Sequence, residues 1–531
     1  MTNFKILDVT LRDGGCVNNF NFGLDYMNQI LNALELSSVD YIELGYIDYK
    51  NGSIDNRTQF IDEKCIYQNF LLKKSNFTKY VAMIDFNKFP IDNLEPRNDH
   101  SIDGIRLCFH KKDRYNIIHA CKKIISLGYE CFVQPMLTLR YSKNELIEFI
   151  ELINKEIPTI KALYIVDSFG EMRQKDLEEI FTIFDNNLSS NISIGFHCHN
   201  NLQLAYSNAI ALINLPSKHN IIIDSSIMGM GKGAGNLNTE LILEHINLLG
   251  ETKYQIPPLL NVIDTVIKPL YHEYKWGYSV EYYLSSINHC TPSYASHFYN
   301  KHMLPINKIN ELLSLISEDK KISFDKDYAE LIYQQYNESY TYDDTKTIKN
   351  LFEILHEKDI LIIGPGKSIN SYSNDIIEAS KNKIIISLNF IPTFIKPDLI
   401  FITRHDLFSK YHNQNIVIAS NISTDNKYVI EYKKWIEKDF GNTYDSSAVF
   451  ALKVACFCKA NSIYLAGLDG FTSHINSNYY SQNLRRELTD IEASKRNDFY
   501  YRFIKNLENE VSIKFITPSL YNKENKIWSN Y

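Results

Sequence analysis

No run of apolar residues in this chain approaches the ~20 needed to cross a bilayer, so no membrane span is expected. The N-terminus lacks the apolar core of a secretory leader, because charge begins at Lys5 and Asp8. Cysteines are present, yet none form a Cys-x-x-Cys pair, and Cys108, Cys131 and Cys198 sit inside apolar runs. That is the usage of reduced thiols; it excludes a disulfide scaffold and makes the cytoplasm the expected compartment. Basic runs are missing too, and with a net charge of −7 the chain has no electrostatic footprint for nucleic acid. What remains is the make-up of a soluble globular protein, 44% hydrophobic and 22% charged. At 531 residues it exceeds what one core supports, so two domains are expected, with a helical extension between them.

From residue 1 to about 250, short apolar runs alternate with amphipathic stretches. The strand-like runs are Phe4–Val9, Tyr41–Leu44, Tyr80–Ile84, Gly104–Phe109, Cys131–Pro135, Ala162–Val166, Ile192–Phe196 and Ile221–Ser226. Eight βα units in that length are the period of a (β/α)8 TIM barrel. An open doubly wound sheet would alternate in the same way. The barrel is preferred because polar residues recur just past the strand ends: Arg12, Asp13, Glu43, Asp85, His110, Gln134, Asp167, His197, His199 and Asn236. In a barrel these converge on one mouth.

The stretch Ile192–Ala205 organises the reading. It ends an apolar strand on His197 and His199, and a helix is expected to start near Leu202. Residues two apart on a strand share a face, so the two imidazoles make half of a metal site. Two other segments join it. One is the charged turn Thr10-Leu-Arg-Asp-Gly-Gly15 after the first strand; the other is Met228-Gly-Met-Gly-Lys-Gly-Ala-Gly-Asn236 after the last.

Together, in this order, the three segments resemble the metal-dependent pyruvate aldolases and acyl-transfer synthases built on the HMG-CoA lyase-like barrel. That group includes 4-hydroxy-2-oxovalerate aldolase and isopropylmalate synthase. Its pattern is T-L-R-D-G, then H-x-H, then G-x-G-x-x-G-N. The segment Lys275-Trp-Gly-Tyr278 also resembles a stretch downstream of the barrel in the aldolases, which tilts the reading toward them. A hard oxygen from Asp13 with the imidazoles of His197 and His199 would hold a divalent metal, Mn²⁺ or Mg²⁺, with Co²⁺ or Zn²⁺ as alternatives. The resemblance adds Asn236 as a fourth ligand. Arg12 cannot lose its charge and suits an enolate oxygen or carboxylate, the work this arginine does in the family. Glu43 and Asp167 would orient ligands or shuttle protons. One departure stands out: Cys16 falls where the aldolases carry a proton-transferring histidine. The general base is open among Cys16, Tyr46, His289 and a metal-bound water.

Residues 251–345 read as mostly helical. Residues 346–531 read as a second α/β domain, opening on Asp359-Ile-Leu-Ile-Ile-Gly-Pro-Gly-Lys-Ser368, a buried strand and a glycine turn. Further strands are Lys383–Leu388 ending in Asn389, Leu399–Thr403, Ile416–Ala419, and Ser462–Ala466 ending in Gly-Leu-Asp469. This half resembles the Rossmann-like group holding the MptE-like pterin diphosphokinases and a bacterial sialyltransferase family. The resemblance implies a doubly wound domain that binds a nucleotide sugar or diphosphate at Gly364, Gly366, Lys367, Ser368, Asn389 and Asp469.

The expected function is a metal-dependent carbon–carbon lyase acting beside a 2-oxo acid, on an aldehyde or sugar partner. A fused transferase in surface-polysaccharide synthesis and a homo-oligomeric assembly complete the expectation. The alternatives are a Claisen-type acyl-CoA synthase and a non-catalytic binding protein on a retired barrel.

Overall fold

A computed structural model describes the chain except residues 1–3, 54, 71–76, 251–252, 412–413, 440–441, 475–477, 481–487 and 523–531. The chain divides into two compact units, Met1–Ala295 and Ser296–Tyr531.

The first unit is a closed barrel of eight parallel strands: Phe4–Asp8, Tyr41–Ile47, Lys79–Asp85, Gly104–Phe109, Glu130–Pro135, Ala162–Asp167, Ser193–Cys198 and Ile221–Ser225. Closure is direct, since the first strand pairs with the eighth (Ile6 beside Ile223) and with the second (Leu7 beside Tyr41). A two-residue strand, Gln59–Phe60, adds to the second strand outside the ring.

Alternation explains why this is a barrel with charge inside it. On the fourth strand Ile105, Leu107 and Phe109 pack outward against the helices, which leaves Arg106 facing in. On the eighth, Ile221 and Ile223 face out while Ile222 and Asp224 face in. The interior therefore stacks in layers. Leu7, Tyr41, Val81, Phe132, Ala162, Tyr164 and Ile222 form an apolar cluster within it. Glu43, Arg106 and Asp224 add a charged group, and Arg12, Asp13, His197 and His199 stand at the strands' carboxyl ends.

Helix Ala205–Asn214 begins three residues later than its sequence suggests, where Asn200 Oδ1 caps the Ala205 N–H at 3.1 Å. Helices Pro257–Val262, Lys268–Tyr274, Val280–Ile287 and Pro292–Tyr299 follow the barrel. Within this run Trp276 is buried, and its indole N–H donates to Met228 O at 3.0 Å, so the Trp-Gly-Tyr segment braces the glycine-rich loop. Helices Ile306–Ser314 and Lys326–Ser339 lie in the second unit, so the helical stretch after residue 251 is shared between the two.

The second unit holds a seven-stranded parallel sheet. Its spatial order is Tyr428–Ile430, Ile416–Ala419, Leu399–Ile402, Ile384–Leu388, Asp359–Ile363, Ser462–Ala466, Ser512–Phe515. Both faces are covered: Ile360 and Ile362 enter one apolar cluster, Leu361 and Ile363 another. Strand order reverses at Asp359–Ile363, so the carboxyl ends of that strand and of Ser462–Ala466 flank a switch point.

Candidate metal centre

Asp13, His197 and His199 meet at the barrel mouth, all buried, with one ligand-type atom from each lying within 4.8 Å of the others. Asp13 Oδ2 stands 3.9 Å from Nε2 of His197 and 3.9 Å from Nε2 of His199. The rings are nearly perpendicular, 88°, with centroids 5.1 Å apart.

Each imidazole is tied from behind through Nδ1. His197 Nδ1 meets Asp224 Oδ2 at 2.9 Å, and His199 Nδ1 meets the Lys232 carbonyl at 3.1 Å. With Nδ1 as the donor, Nε2 is the lone-pair nitrogen in both rings, which is the tautomer a metal requires.

Asp13 is held on both oxygens. Lys232 N and Asn236 Nδ2 donate to Oδ1 at 3.0 and 3.1 Å, and Arg12 Nη1 donates to Oδ2 at 2.5 Å. The glycine-rich loop supplies this closeness: a Cβ at Gly231 would lie 2.1 Å from Asn236 Nδ2 and 2.7 Å from Asp13 Oδ1.

Behind this group the charges alternate. Arg12 Nε donates to Glu43 Oε2 at 2.6 Å, Arg106 Nη1 donates to the same oxygen at 2.7 Å, and Arg106 Nη2 donates to Asp224. Tyr164 stacks 5.0 Å from the Arg106 guanidinium. Gln134, with its amide oxygen turned inward, accepts from Nη2 and Nε of Arg106 at 2.7 and 3.1 Å. The chain Asp13–Arg12–Glu43–Arg106–Asp224–His197 thus returns to where it starts.

Electrostatics follow from this ring. Burial opposes ionisation of Asp13, but Arg12, His199 and His197 outweigh it and hold the carboxyl well below the usual range. Burial likewise opposes both guanidiniums, and their carboxylates more than restore them. His199 is pushed down to about 4, mainly by burial, so it is neutral and ready to ligate.

A divalent cation fits these residues on two counts. Three carboxylates (Asp13, Glu43, Asp224) face two guanidiniums, leaving one uncompensated negative charge in a buried pocket. Four buried atoms here also have no partner among the described residues: Asn236 Oδ1, Arg12 Nη2, Glu43 Oε1 and Asp224 Oδ1. Mixed O and N donors of this kind suit Mn²⁺, Mg²⁺, Co²⁺ or Zn²⁺.

The other residues singled out in the sequence fall as follows. Asp167 caps the next loop, accepting the N–H groups of Glu171 and Met172 at 3.0 Å each, and burial raises its carboxyl to about 7. Cys16 is exposed to solvent, and partial desolvation by the surrounding protein, with the Asp13 charge, pushes its thiol up to about 11. Burial likewise drives the Tyr46 phenol upward. Neither is a ready base at neutral pH.

In the second unit the glycine turn is already satisfied. Gly364 N donates to Ala466 O and Gly366 N to Gly467 O, each at 2.8 Å. Ser368 N and Oγ donate to Asp469 at 2.8 and 2.5 Å, so the anion facing this turn is the protein's own carboxylate. Asn389 bonds Thr403 N and Ser447 Oγ, linking strand ends, and Lys367 is exposed.

Asp224, Arg106, Lys232 and Glu171 are members of these networks that sequence reasoning misses. The available signal is parity: Asp224 and Arg106 are single charged residues at inward positions of otherwise apolar strands.

Comparisons bear on the barrel. The 4-hydroxy-2-oxovalerate aldolase of Geobacillus genomosp. 3 is 28% identical over 267 residues, covering 50% of this chain and 77% of that protein. The enzyme of the same name from Pseudoalteromonas translucida is 26% identical over 269 residues, covering 50% and 75%. A crystal structure of HMG-CoA lyase from Brucella melitensis aligns with a TM-score of 0.41 at 13% identity, over 51% of this chain and 99% of that one. Residues 3–266, the barrel with the start of its helical extension, match the family model described as HMGL-like.

Proposed function

We propose that the barrel is a divalent-metal-dependent aldolase or lyase that breaks or forms a C–C bond beside the carbonyl of a 2-oxo acid. One observation carries this reading: two imidazoles with Nδ1 tied back present Nε2 to the Asp13 carboxylate, beside a guanidinium with a free buried nitrogen. The relatives at 28% and 26% identity are aldolases of a 4-hydroxy-2-oxo acid, which fits.

When bound by Asp13, His197, His199 and Asn236, the cation would supply Lewis acidity at a ketone or carboxylate oxygen, easing enolate formation. The residues of the chain do the rest. Arg12 Nη2 binds the anionic oxygen that develops on the 2-oxo acid. Glu43 fixes the plane of that guanidinium, and Arg106 fixes Glu43. Asp224 keeps the proton of His197 on Nδ1. The aldehyde or sugar partner is the component that this site leaves to its outer wall.

Metal analysis of the purified chain, with deuterium exchange into pyruvate in D₂O, tests the reading. The expected result is one divalent ion per chain and exchange that stops in His197→Ala/His199→Ala. Full metal occupancy in that double variant would move the site elsewhere.

For the second unit the reading is a Rossmann-like module for a nucleotide sugar or diphosphate, serving transfer of an activated group. The strand reversal beside Gly364 and Gly467 supports it. Because Asp469 fills the turn, the ligand's phosphates would have to reach Lys367 and the Asp469 carboxylate through a shared cation. Calorimetry on the full chain with CMP-, CDP-, GDP- and UDP-sugars should therefore give saturable binding only with Mg²⁺ present. No binding under either condition would remove this reading.

A further inference from the structure

A second polar group lies on the barrel rim, and the metal-centre reading makes no use of it. Its foundation is the loop after the sixth strand. The Asp167 carbonyl accepts the His199 N–H at 3.2 Å, and a Cβ at Gly170 would stand 2.9 Å from the His199 carbonyl. This loop is therefore packed against the segment that carries a ligand-type imidazole. The next residue, Glu171, has its backbone N–H capped by Asp167.

The Glu171 side chain is buried, 4% exposed, and both its oxygens are engaged. Arg140 Nη2 pairs with Oε1 at 2.7 Å, and His289 Nδ1 meets Oε2 at 2.6 Å. With Oε2 of a carboxylate as its neighbour, Nδ1 of His289 is the donor of this hydrogen bond. The imidazole itself is 59% exposed, and its Nε2 has no protein partner among the described residues. An imidazole oriented by a buried carboxylate, with its second nitrogen open, is the arrangement of a general base.

The backbone reinforces this placement. Ser286 Oγ donates to Phe169 O at 2.6 Å, pinning helix Val280–Ile287 to the same loop. His289 follows that helix at φ +58°, where its N–H closes onto Ser286 O and the Cys290 N–H onto Ser285 O. Glycine takes this left-handed cap position with least strain, whereas a histidine there costs backbone energy. The side chain is kept in place by Glu171.

We propose that His289 is a catalytic residue of the barrel, its Nε2 taking the proton from the hydroxyl of a 4-hydroxy-2-oxo acid, with Glu171 and Arg140 as positioning residues. This rests on the aldolase reading above and names its base. In cleavage, the hydroxyl proton moves to Nε2 and the bond between the hydroxyl-bearing carbon and its neighbour breaks. The electron pair of that bond passes to the 2-oxo acid fragment as an enolate, and the hydroxyl carbon leaves as an aldehyde. The enolate carbon then takes a proton from solvent, and His289 returns its own proton to solvent, so charge and atoms balance. The imidazolium formed on the way faces Glu171, which stabilises it.

The test uses the full chain with Mn²⁺. Cleavage is read as pyruvate released from 4-hydroxy-2-oxovalerate, and condensation as pyruvate consumed with acetaldehyde, propanal or glycolaldehyde. Enolisation is read separately as deuterium exchange into pyruvate. His289→Asn tolerates the left-handed backbone and can still donate to Glu171, but it cannot accept a proton. His289→Gly relieves the backbone altogether.

Both variants should fold with an unlowered melting temperature. They should lose roughly 100-fold or more in kcat for cleavage and condensation, with KM little changed. Pyruvate exchange should stay within a few-fold, because enolisation belongs to the metal centre. Glu171→Gln should lower kcat less than either His289 variant, and the ¹⁵N signals of His289 should show a mixture of tautomers in place of one. An active parent whose His289→Asn variant cleaves and condenses within a few-fold of it overturns the proposal alone. A parent that neither exchanges nor condenses pyruvate overturns the aldolase reading and this proposal with it.

Discussion

At the carboxyl ends of the barrel strands, Arg12 Nη2, Glu43 Oε1, Asp224 Oδ1 and Asn236 Oδ1 are buried without a partner among the described residues. At the glycine turn of the second unit's sheet, by contrast, Ser368 and Asp469 satisfy each other, and nearby Asn389 satisfies Thr403 and Ser447. The difference is informative because a buried unsatisfied polar atom costs about 1–3 kcal/mol. Four such atoms around one pocket are tolerated when something outside the chain completes them. The barrel mouth thus leaves polar atoms that a ligand would complete, whereas the glycine turn of the second unit is already complete. Polar residues at strand ends read alike in sequence; hydrogen bonding separates the barrel mouth from the glycine turn, although Ser387 Oγ, His405 Nδ1 and Asn421 Oδ1 are unpartnered near other strand ends of the second unit.

The largest effect that would break this contrast is expected at Arg12. Arg12→Lys keeps the charge but gives up the planar fork that reaches Glu43, Asp13 and the ligand together. Steady-state kinetics should show kcat/KM lower by about 10²–10³, the usual cost of one donor aimed at developing negative charge. Metal content, measured alongside, should stay at the parent level. Activity within a few-fold of the parent would mean that the free Nη2 meets no ligand.

Asp224→Asn should come next. The change leaves Arg106 buried with one charge partner fewer and takes the charge from the oxygen that Arg106 and His197 share, so the His197 tautomer is held less firmly. Metal affinity should fall roughly 10–100-fold, as for other groups that orient a ligating histidine. Chemical denaturation of the metal-free protein should show a loss of about 3–5 kcal/mol, because breaking a buried ion pair strands its partner. Parent-like metal titration curves would place Asp224 outside the centre.

Much of this layout is legible in the amino-acid sequence alone. Eight short apolar runs separated by amphipathic stretches mark the barrel, and each observed strand overlaps its expected run. Asp13, His197 and His199 stand out through the resemblance of their three segments, in order, to the aldolase pattern, and the structure brings the three together. The supporting ring does not stand out. Arg106, Asp224 and Glu171 are single charged residues within apolar or loop segments, and their meaning comes from partners 27 to 118 positions away. In the second unit the edge strands Tyr428–Ile430 and Ser512–Phe515 escape detection, the first because it has three residues, the second because it is only partly buried and lacks the apolar run of equally short Leu399–Ile402. Nor does sequence tell that Asp469 faces Ser368: a glycine turn advertises a place for an anion without saying that the chain supplies one.

Ser368→Ala sharpens the comparison from the second unit's side. If Asp469 is bound by this turn as part of the fold, losing the hydroxyl should cost about 1–2 kcal/mol, read as a shift in the denaturation midpoint. A neutral result would imply that the pair is held loosely enough for another anion to replace Asp469, bringing the turn closer to the barrel mouth in character.

The remaining test is one of pH dependence and concerns Asp167, which belongs to the barrel yet behaves as the glycine turn does, satisfied by its own loop. Its carboxyl sits at about 7 when folded because of burial, against roughly 4 in an unfolded chain. A group raised in this way contributes stability that is present below the unfolded value and is lost as pH rises through the folded one. Asp167→Asn cannot ionise, and its Oδ1 can still accept one of the two loop N–H groups. Between pH 4 and 7 the parent's stability should therefore fall relative to the variant's, by up to about 4 kcal/mol if the whole shift is realised. Denaturation of both metal-free proteins at several pH values measures this difference. Parallel curves would mean that Asp167 is ionised throughout, and that the two capped N–H groups outweigh its burial.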